Sequence, residues 1–302
     1  MNDLLCIASS CVDMIFAGMR KFPEPGTEEF AEEFIIKGGG GANTPVAAAK
    51  LGLKTAFITQ LGEDSLGNIM YKFFEDSGMV LDGIIRSKEK TTSVTAVLSM
   101  NHERGFASYD KNNLSDVDLS LLEDNIKNSR HVHTHIAYCK HLPIIGLAKK
   151  YNCSISLDTS WSAEQRLIHY ADILKRIDIF MPNEEEACTL ADTKDSISAA
   201  NILSQYVKIL VIKLGSKGSL IVKDGKIMKI EPIKNIKLID TTGAGDLFNA
   251  GFLYGFLKGY DLEKCGRIAN ASGALSVTFL GGMDDAYTHD AVKKMYSHEK
   301  IG

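Results

Sequence analysis

Short β-rich runs alternate with helix-period segments along most of this sequence. The runs are "LLCIASS" (Leu4–Ser10), "KTAFITQLG" (Lys54–Gly62), "VHTHIA" (Val132–Ala137), "CSISLDTS" (Cys153–Ser160), "IDIFMPN" (Ile177–Asn183) and "ILVIKLG" (Ile209–Gly215). Most close on Gly, Ser or Asn, as strands buried on both faces of a parallel sheet do. Between them lie "ANTPVAAAKLG", "SLGNIMYKFFEDSG", "LPIIGLAKKY", "NEEEACTLA" and "SISAANILSQY", several with a polar start and a glycine stop. Such an alternation hides its apolar surface by laying helices on both faces of one sheet. The fold class expected is therefore α/β, with a doubly wound, mostly parallel sheet flanked by helices.

Two stretches break the rhythm. Phe16–Lys37 and Thr91–Asp110 show period-two alternation and turn residues with no intervening helix. They predict a small β-sheet set outside the main one, with strands at about 14–37 and 91–110. Ligands of open α/β sheets bind beyond the carboxyl ends of the strands, so this appendage is placed to act as a lid. No internal repeat, low-complexity tract or linker interrupts the chain, and residues 1–302 read as a single domain carrying the lid strands.

At 302 residues and 45% hydrophobic, the chain can bury a full core without staples. A formal net charge of -4 gives no basic excess, which argues against a nucleic-acid partner and leaves small anions open. The six cysteines are scattered, with no C-x-x-C pair, as in a reducing compartment. The N-terminus does not read as a signal peptide. The longest near-apolar run, Leu247 to Leu257, falls short of the roughly 20 residues a spanning helix needs. A cytoplasmic protein with no membrane partner is expected.

The most informative stretch is "IDTTGAGDLFNAGFLYGF", Ile239 to Phe256. Asp240-Thr241-Thr242-Gly243-Ala244-Gly245-Asp246 follows "IKLI", read as a strand end, and precedes an apolar run. Small residues let the backbone turn tightly, and the first helical turn then presents unpaired N–H groups to an anion. Asp246 falls in the same turn, where it could accept the proton of a hydroxyl attacking phosphorus. An acid that only stabilises the helix start is the plainer alternative. No G-x-x-x-x-G-K-[ST] loop occurs in the chain.

"DTTGAGDLFNAGFLYGF" resembles the C-terminal signature of the ribokinase-like carbohydrate kinases, the phosphofructokinase-B family, and "KGGGGANTPVAAAKLG" (Lys37–Gly52) resembles the N-terminal one. The likeness extends over essentially the whole chain, the lid pattern included. It implies an ATP-dependent sugar kinase, a phosphotransferase with an alcohol acceptor, that uses Mg2+. Asp246 would be the catalytic base, with the backbone of Gly243, Ala244 and Gly245 as the anion hole. Asp13, Gly38, Gly39 and Asn43, together with Asp246, would hold the sugar. Asn183 and Glu186 match the family's N-x-x-E, with Glu186 near magnesium through water; an acidic first turn capped by Asn183 would look the same.

"KLGSKG" resembles the nucleotide loop, giving Lys213, Gly215 and Gly218, although relatives usually carry Thr or a similar residue at Lys213. The segment "RIANASGALSVTFLGG" implies Asn270 as a nucleotide contact. Some relatives bind K+ beside the anion hole. The matching positions here are Asp240, Thr242, Ser276, Phe279 and Gly281.

This sequence departs from the ribokinase pattern at Gly40, where lysine is usual, and in "HVHTHIA", which lacks a glutamate near the sugar. The substrate need not be ribose, and His135 is a candidate replacement contact. The alternation of His131, His133 and His135 on one strand face also raises an H-x-H metal site. A nucleoside kinase of the same fold is the nearest alternative, with Phe16, Phe106 and Tyr109 to line a base slot. A non-catalytic sugar or nucleotide sensor is another. Exposed lid edges suggest a homodimer formed through the lid.

Overall fold

The computed structural model describes residues 1–100, 103–110, 114–159 and 166–297. Asn101, His102 and Ser160, which belong to expected strands, lie outside that set. The strands are β1 (Asn2–Ile7), β2 (Ser10–Ala17), β3 (Glu33–Gly40), β4 (Thr55–Gly62), β5 (Ile84–Ser87), β6 (Val94–Met100), β7 (Glu103–Tyr109), β8 (Ser129–His135), β9 (Ser154–Asp158), β10 (Ile179–Phe180), β11 (Ile209–Lys213), β12 (Ser219–Lys223) and β13 (Lys226–Ile230). The helices are α1 (Asn43–Lys50), α2 (Ser65–Asp76), α3 (Leu119–Lys127), α4 (Ile144–Lys150), α5 (Ala171–Leu174), α6 (Glu184–Ala191), α7 (Ser196–Leu203), α8 (Ala244–Leu257), α9 (Leu262–Ser276) and α10 (His289–Ser297).

Neighbouring residues on the buried strands go to opposite faces. Leu4 and Cys6 of β1 join one apolar cluster with Val46 of α1, Phe74 of α2, Phe252 of α8 and Ile268 of α9. Leu5 and Ile7 join another with Ile126 of α3, Ile144 of α4, Leu190 of α6 and Leu203 of α7. This two-faced burial explains why the strands read as continuous apolar runs. The large sheet has the order β13-β12-β11-β10-β9-β8-β1-β4-β5. It is parallel from β5 to β11, and β12 and β13 extend it as an antiparallel hairpin. From β1 the chain order runs outward to β4 on one side, while β8 to β11 run outward on the other, so β1 and β8 flank the switch point where such sheets bind ligands.

The smaller sheet has the order β3-β2-β6-β7, with β2 parallel to β6 and the other pairs antiparallel. It begins earlier than the sequence suggests. "LLCIASSCVDMIF" contains two strands: β1 ends at Ile7, and the chain turns at Ala8–Ser9 to start β2 at Ser10. No residue in that apolar run signals the turn. The expected strand Ile177–Asn183 contracts to Ile179–Phe180, with one isolated bridge from Asn183 to Lys213.

The register of the small sheet fixes what each face carries. Asp13 stands opposite Thr95 and Thr95 opposite Ser108; Val97 stands opposite both Ile15 and Phe106. Side chains alternate along a strand, so Asp13, Ile15, Val97, Arg104 and Phe106 share one face. Ile15 and Val97 are buried against Leu280, which identifies this face as the one turned to the large sheet. Phe16 and Tyr109 fall on the opposite face, so the three aromatic residues considered for a base slot are not together. All six cysteines are free. Among the described residues no helix is long and apolar enough to cross a membrane.

Candidate active site

The strand ends near the switch point and the start of α8 build one site. Gly243 is the N-cap residue of α8, with φ 73° and ψ 0°, and no side chain caps the helix. A left-handed residue is needed there, and a Cβ would stand 2.7 Å from Gly282 Cα, so only glycine fits. The first turn of α8 borders a cleft lined by Gly243, Ala244, Gly245 and Asp246, with the Ala244 N–H donating to the Thr241 carbonyl at 3.3 Å. An uncapped helix start facing a cleft suits an anionic group.

Asp246 lies in that first turn. Asn43 donates from Nδ2 to Asp246 Oδ2 at 3.1 Å, and Thr44 from Oγ1 to Oδ1 at 3.4 Å. The start of α1 thus grips the start of α8, and the two glycine-rich signatures meet here although some 200 positions separate them. Burial pushes the Asp246 carboxyl above the usual carboxylate range. The charge of Asp158 pushes the same way, against Asn43, His135 and Lys213.

Beneath the turn lies a buried ion pair. Lys213 Nζ stands 3.2 Å from both oxygens of Asp158 and 3.3 Å from Asn249 Oδ1, and Asn249 donates to Asp158 Oδ2. The Thr159 N–H donates to Asp158 at 2.7 Å. Burial works to raise Asp158, but Lys213, the nearby histidines and Asn249 outweigh it and hold the carboxyl low. Lys213 Nζ is 3.5 Å from where a Cβ on Gly245 would be, so a cation underlies the first turn of α8. The position that departs from relatives therefore has a defined setting.

Asn183 and Glu186 form a reciprocal capping box at the start of α6: Asn183 Oδ1 accepts from the Glu186 N–H at 2.8 Å, and Glu186 Oε2 from the Asn183 N–H at 2.7 Å. The capping box is what the geometry shows of this pair, and both residues also line the cleft. Burial raises the Glu186 carboxyl, with Lys213 opposing. The cleft has a volume of about 1030 Å³ and continues past Gly215 and Gly218 to Ile233, Asn270 and Val277. Its apolar end suits a flat heterocycle and its glycine end a chain of phosphates. Asn270 donates to the carbonyls of Ile230 and Glu231 at 3.3 and 2.8 Å, so it also ties down the cleft's far wall.

Asp13, Gly38, Gly39 and Asn43 lie on the other side of Asp246. Asp13 is 6% exposed, sits directly over Gly39, and accepts a weak bond from the Cys11 thiol at 3.3 Å. Burial raises its carboxyl, with Asp240 and Asp246 adding to the effect against the thiol bond. Asn43 Oδ1 is buried without a partner among the described residues. A buried acceptor left unpaired costs about 1–3 kcal/mol, so this end of the site lacks donors that a polyol could supply.

Asp240 Oδ1 accepts from the Thr242 N–H at 2.7 Å and Oδ2 from the Gly281 N–H at 2.9 Å. Ser276 donates to the Gly273 carbonyl, and Phe279 is buried beside Lys37. The histidines of β8 do not make a metal site. His131 is bonded to Ser154 and Ser156, and His133 to Ser156. Burial lowers them to about 4 and about 3, so both are neutral, and no metal-binding cluster occurs among the described residues.

Sequence reasoning missed Asp158, Asn249, Thr44 and Arg104. Asn249 and Thr44 sit inside the two signatures, so their spacing could have revealed them. Asp158 ends a strand like any other, and Arg104 is one charge in a polar hairpin.

The sequence matches the description "pfkB family carbohydrate kinase" over residues 1–288. It is 30% identical to the 5-dehydro-2-deoxygluconokinase of Clostridium perfringens over 87% of this chain and 84% of that protein. It is 28% identical to the nucleoside kinase of Methanocaldococcus jannaschii over 100% of this chain and 99% of the other. The Arabidopsis thaliana ribokinase solved with ribose and ATP superposes with a TM-score of 0.81 at 26% identity, covering 98% of each chain. Two signatures meeting at Asp246, a ribokinase-like fold and this match over nearly the full length carry one conclusion: the chain belongs to the pfkB family of carbohydrate kinases.

Proposed function

We propose that this protein transfers the γ-phosphoryl group of ATP to a hydroxyl, in the first place the primary alcohol, of a small sugar. The observation that carries this is Asp246 in the first turn of an uncapped helix, bonded to Asn43 and beside the cleft. ATP lies in the cleft with its base toward Ile233 and Val277 and its phosphates over the N–H groups of Gly243–Gly245. Lys213 supplies positive charge below them. Mg2+ neutralises the phosphates when bound with them, and Asn183 and Glu186 fit a metal held through water. Asp13 and Asn43 orient the sugar, and the small sheet closes over it as a lid, excluding water that would otherwise take the phosphoryl group. Asp246 accepts the proton as the alcohol attacks.

The test is ADP release with ATP and magnesium across pentoses, hexoses, keto-sugars, sugar acids and nucleosides. A preference for nucleosides would favour the second reading, which rests on Phe106, 63% exposed on the lid face that carries Asp13. Tight binding with no ADP released from any acceptor would support a sensor instead.

The raised carboxyl of Asp246 sets a pH dependence. It must be ionised to take a proton, so activity falls as pH drops through its raised value. The acid limb of kcat/KM is expected above the ordinary carboxylate range, and Asp158→Asn, which removes a repelling charge, should lower it. A limb at or below the ordinary range in the wild type would contradict this.

A homodimer through the lid rests on Phe34 and Ile36, 54% and 40% exposed on the lid's outward face. Light scattering should give twice the 33.0 kDa chain mass, reduced to the single mass by Phe34→Glu with Ile36→Glu. A wild type at the single mass removes the dimer. The six free thiols suit the cytosol.

A further inference from the structure

Asp240 is 5% exposed and stands at the entry to the anion-binding turn. A buried carboxylate needs hydrogen bonds and a countercharge. The hydrogen bonds come from Thr242 and Gly281. The countercharge comes from the small sheet: Arg104 of β7 pairs through Nη2 with Asp240 Oδ1, and its Nη1 donates to Thr242 Oγ1. Nη2 also donates to Thr241 Oγ1 at 3.2 Å. The Arg104 side chain is 17% exposed, so the contact is largely shielded from water.

This arrangement bears on the K+ set formed by Asp240, Thr242, Ser276, Phe279 and Gly281. A monovalent cation needs oxygen lone pairs. Here the guanidinium, which only donates, engages one Asp240 oxygen and both threonine hydroxyls. A second cation comes from β3, where Lys37 Nζ lies 5.7 Å from the centre of the Phe279 ring and 2.8 Å from Asp284. Lys37 is itself paired with Asp284, so the charge that a metal ion brought to Asp240 would meet is the Arg104 guanidinium, which already engages Asp240 Oδ1 and the Thr242 hydroxyl. The residues do not fit K+ while Arg104 is seated.

We infer that Arg104 is the resident cation of this site, a positioning residue that braces the anion-binding turn through Asp240, Thr241 and Thr242, and that it makes the protein indifferent to K+. Because Arg104 is carried on the small sheet, the turn is braced only while that sheet is seated against α8. Lid closure and assembly of the anion hole are then one event.

The test compares the wild type, Arg104→Met and Arg104→Lys in K+ or tetramethylammonium at matched ionic strength. Thermal melting without substrates is one readout, and it stands apart from the kinase reading. ADP release is the other, and it rests on that reading. The wild type should show the same melting temperature and turnover in either salt. Arg104→Met should melt higher in K+ than in tetramethylammonium. In K+-free buffer its kcat should fall about 10- to 100-fold, as when one partner of a buried charge pair is removed, with a smaller change in KM for ATP. K+ or methylguanidinium should restore it. Arg104→Lys keeps the charge and should stay indifferent to K+. A K+-specific rise in wild-type melting or turnover would overturn the inference, as would an Arg104→Met protein on which K+ has no effect in either readout. Absence of ADP release from every variant, with the melting pattern intact, would count against the kinase reading alone.

Discussion

Asp246→Asn should give a protein that folds and binds ATP but turns over about 10³-fold more slowly. A positioned general base contributes about 10²–10⁴-fold, and 10³ corresponds to about 4 kcal/mol of barrier. The amide oxygen can still accept from Asn43 Nδ2, and Thr44 Oγ1, which also donates to the Asp246 backbone carbonyl, can turn to accept from the amide NH2, so α1 and α8 keep their junction. The substitution also removes a carboxyl that burial already disfavours as a charge, so stability should not suffer. Turnover, ATP affinity and melting temperature measured together separate this outcome from misfolding. Near-normal turnover by the variant would sink the assignment of the base.

Lys213→Met should have the largest effect on stability. Its side chain is 11% exposed and that of Asp158 9%, and removing one partner of a buried pair costs about 3–5 kcal/mol because the other charge is stranded. Asp158 is held low in the folded protein, so its contribution is complete above the ordinary carboxylate range and fades as pH falls through the depressed value. Without Lys213, burial dominates and raises the Asp158 carboxyl, so the variant should regain part of the lost stability as pH falls through that raised value, because the folded protein then binds the proton more tightly than the unfolded chain. Adding Asp158→Asn should recover much of the stability but not the ATP affinity, since the stranded charge is gone while the phosphates still lack their cation. Denaturant titration with ATP-binding measurements checks both halves. Full recovery of ATP affinity in the double variant would confine Lys213 to a structural role.

The fold could be read from the sequence wherever burial imposes a continuous apolar run, as in β1, β4 and β11. It could not where the run hides a change of direction. The break at Ala8–Ser9 passes the chain from the large sheet to the small one and puts Asp13 on β2, and nothing local marks it. The β12–β13 hairpin at the sheet edge was marked by Asp224-Gly225, whose φ values of 51° and 73° close a two-residue turn, but the signal went unread. In the candidate site, the geometry around Asp246 was legible because its parts are contiguous: one heptapeptide supplies the turn, the helix start and the acid. The countercharges were not. Lys213 meets Asp158 across two strands, and Arg104 meets Asp240 across two sheets, so each pair exists only in the folded chain. Sheet register also separates Phe16 and Tyr109 from Phe106, a distinction of parity that composition cannot supply.

The most direct test follows the phosphorus. With ATP, magnesium and the best acceptor from the panel, 31P spectroscopy should show a new phosphomonoester rising in step with ADP, and with Asp246→Asn the same signal rising about 10³-fold more slowly. Inorganic phosphate in place of the ester, or an ester formed equally well by the variant, would contradict an Asp246-assisted transfer to an alcohol.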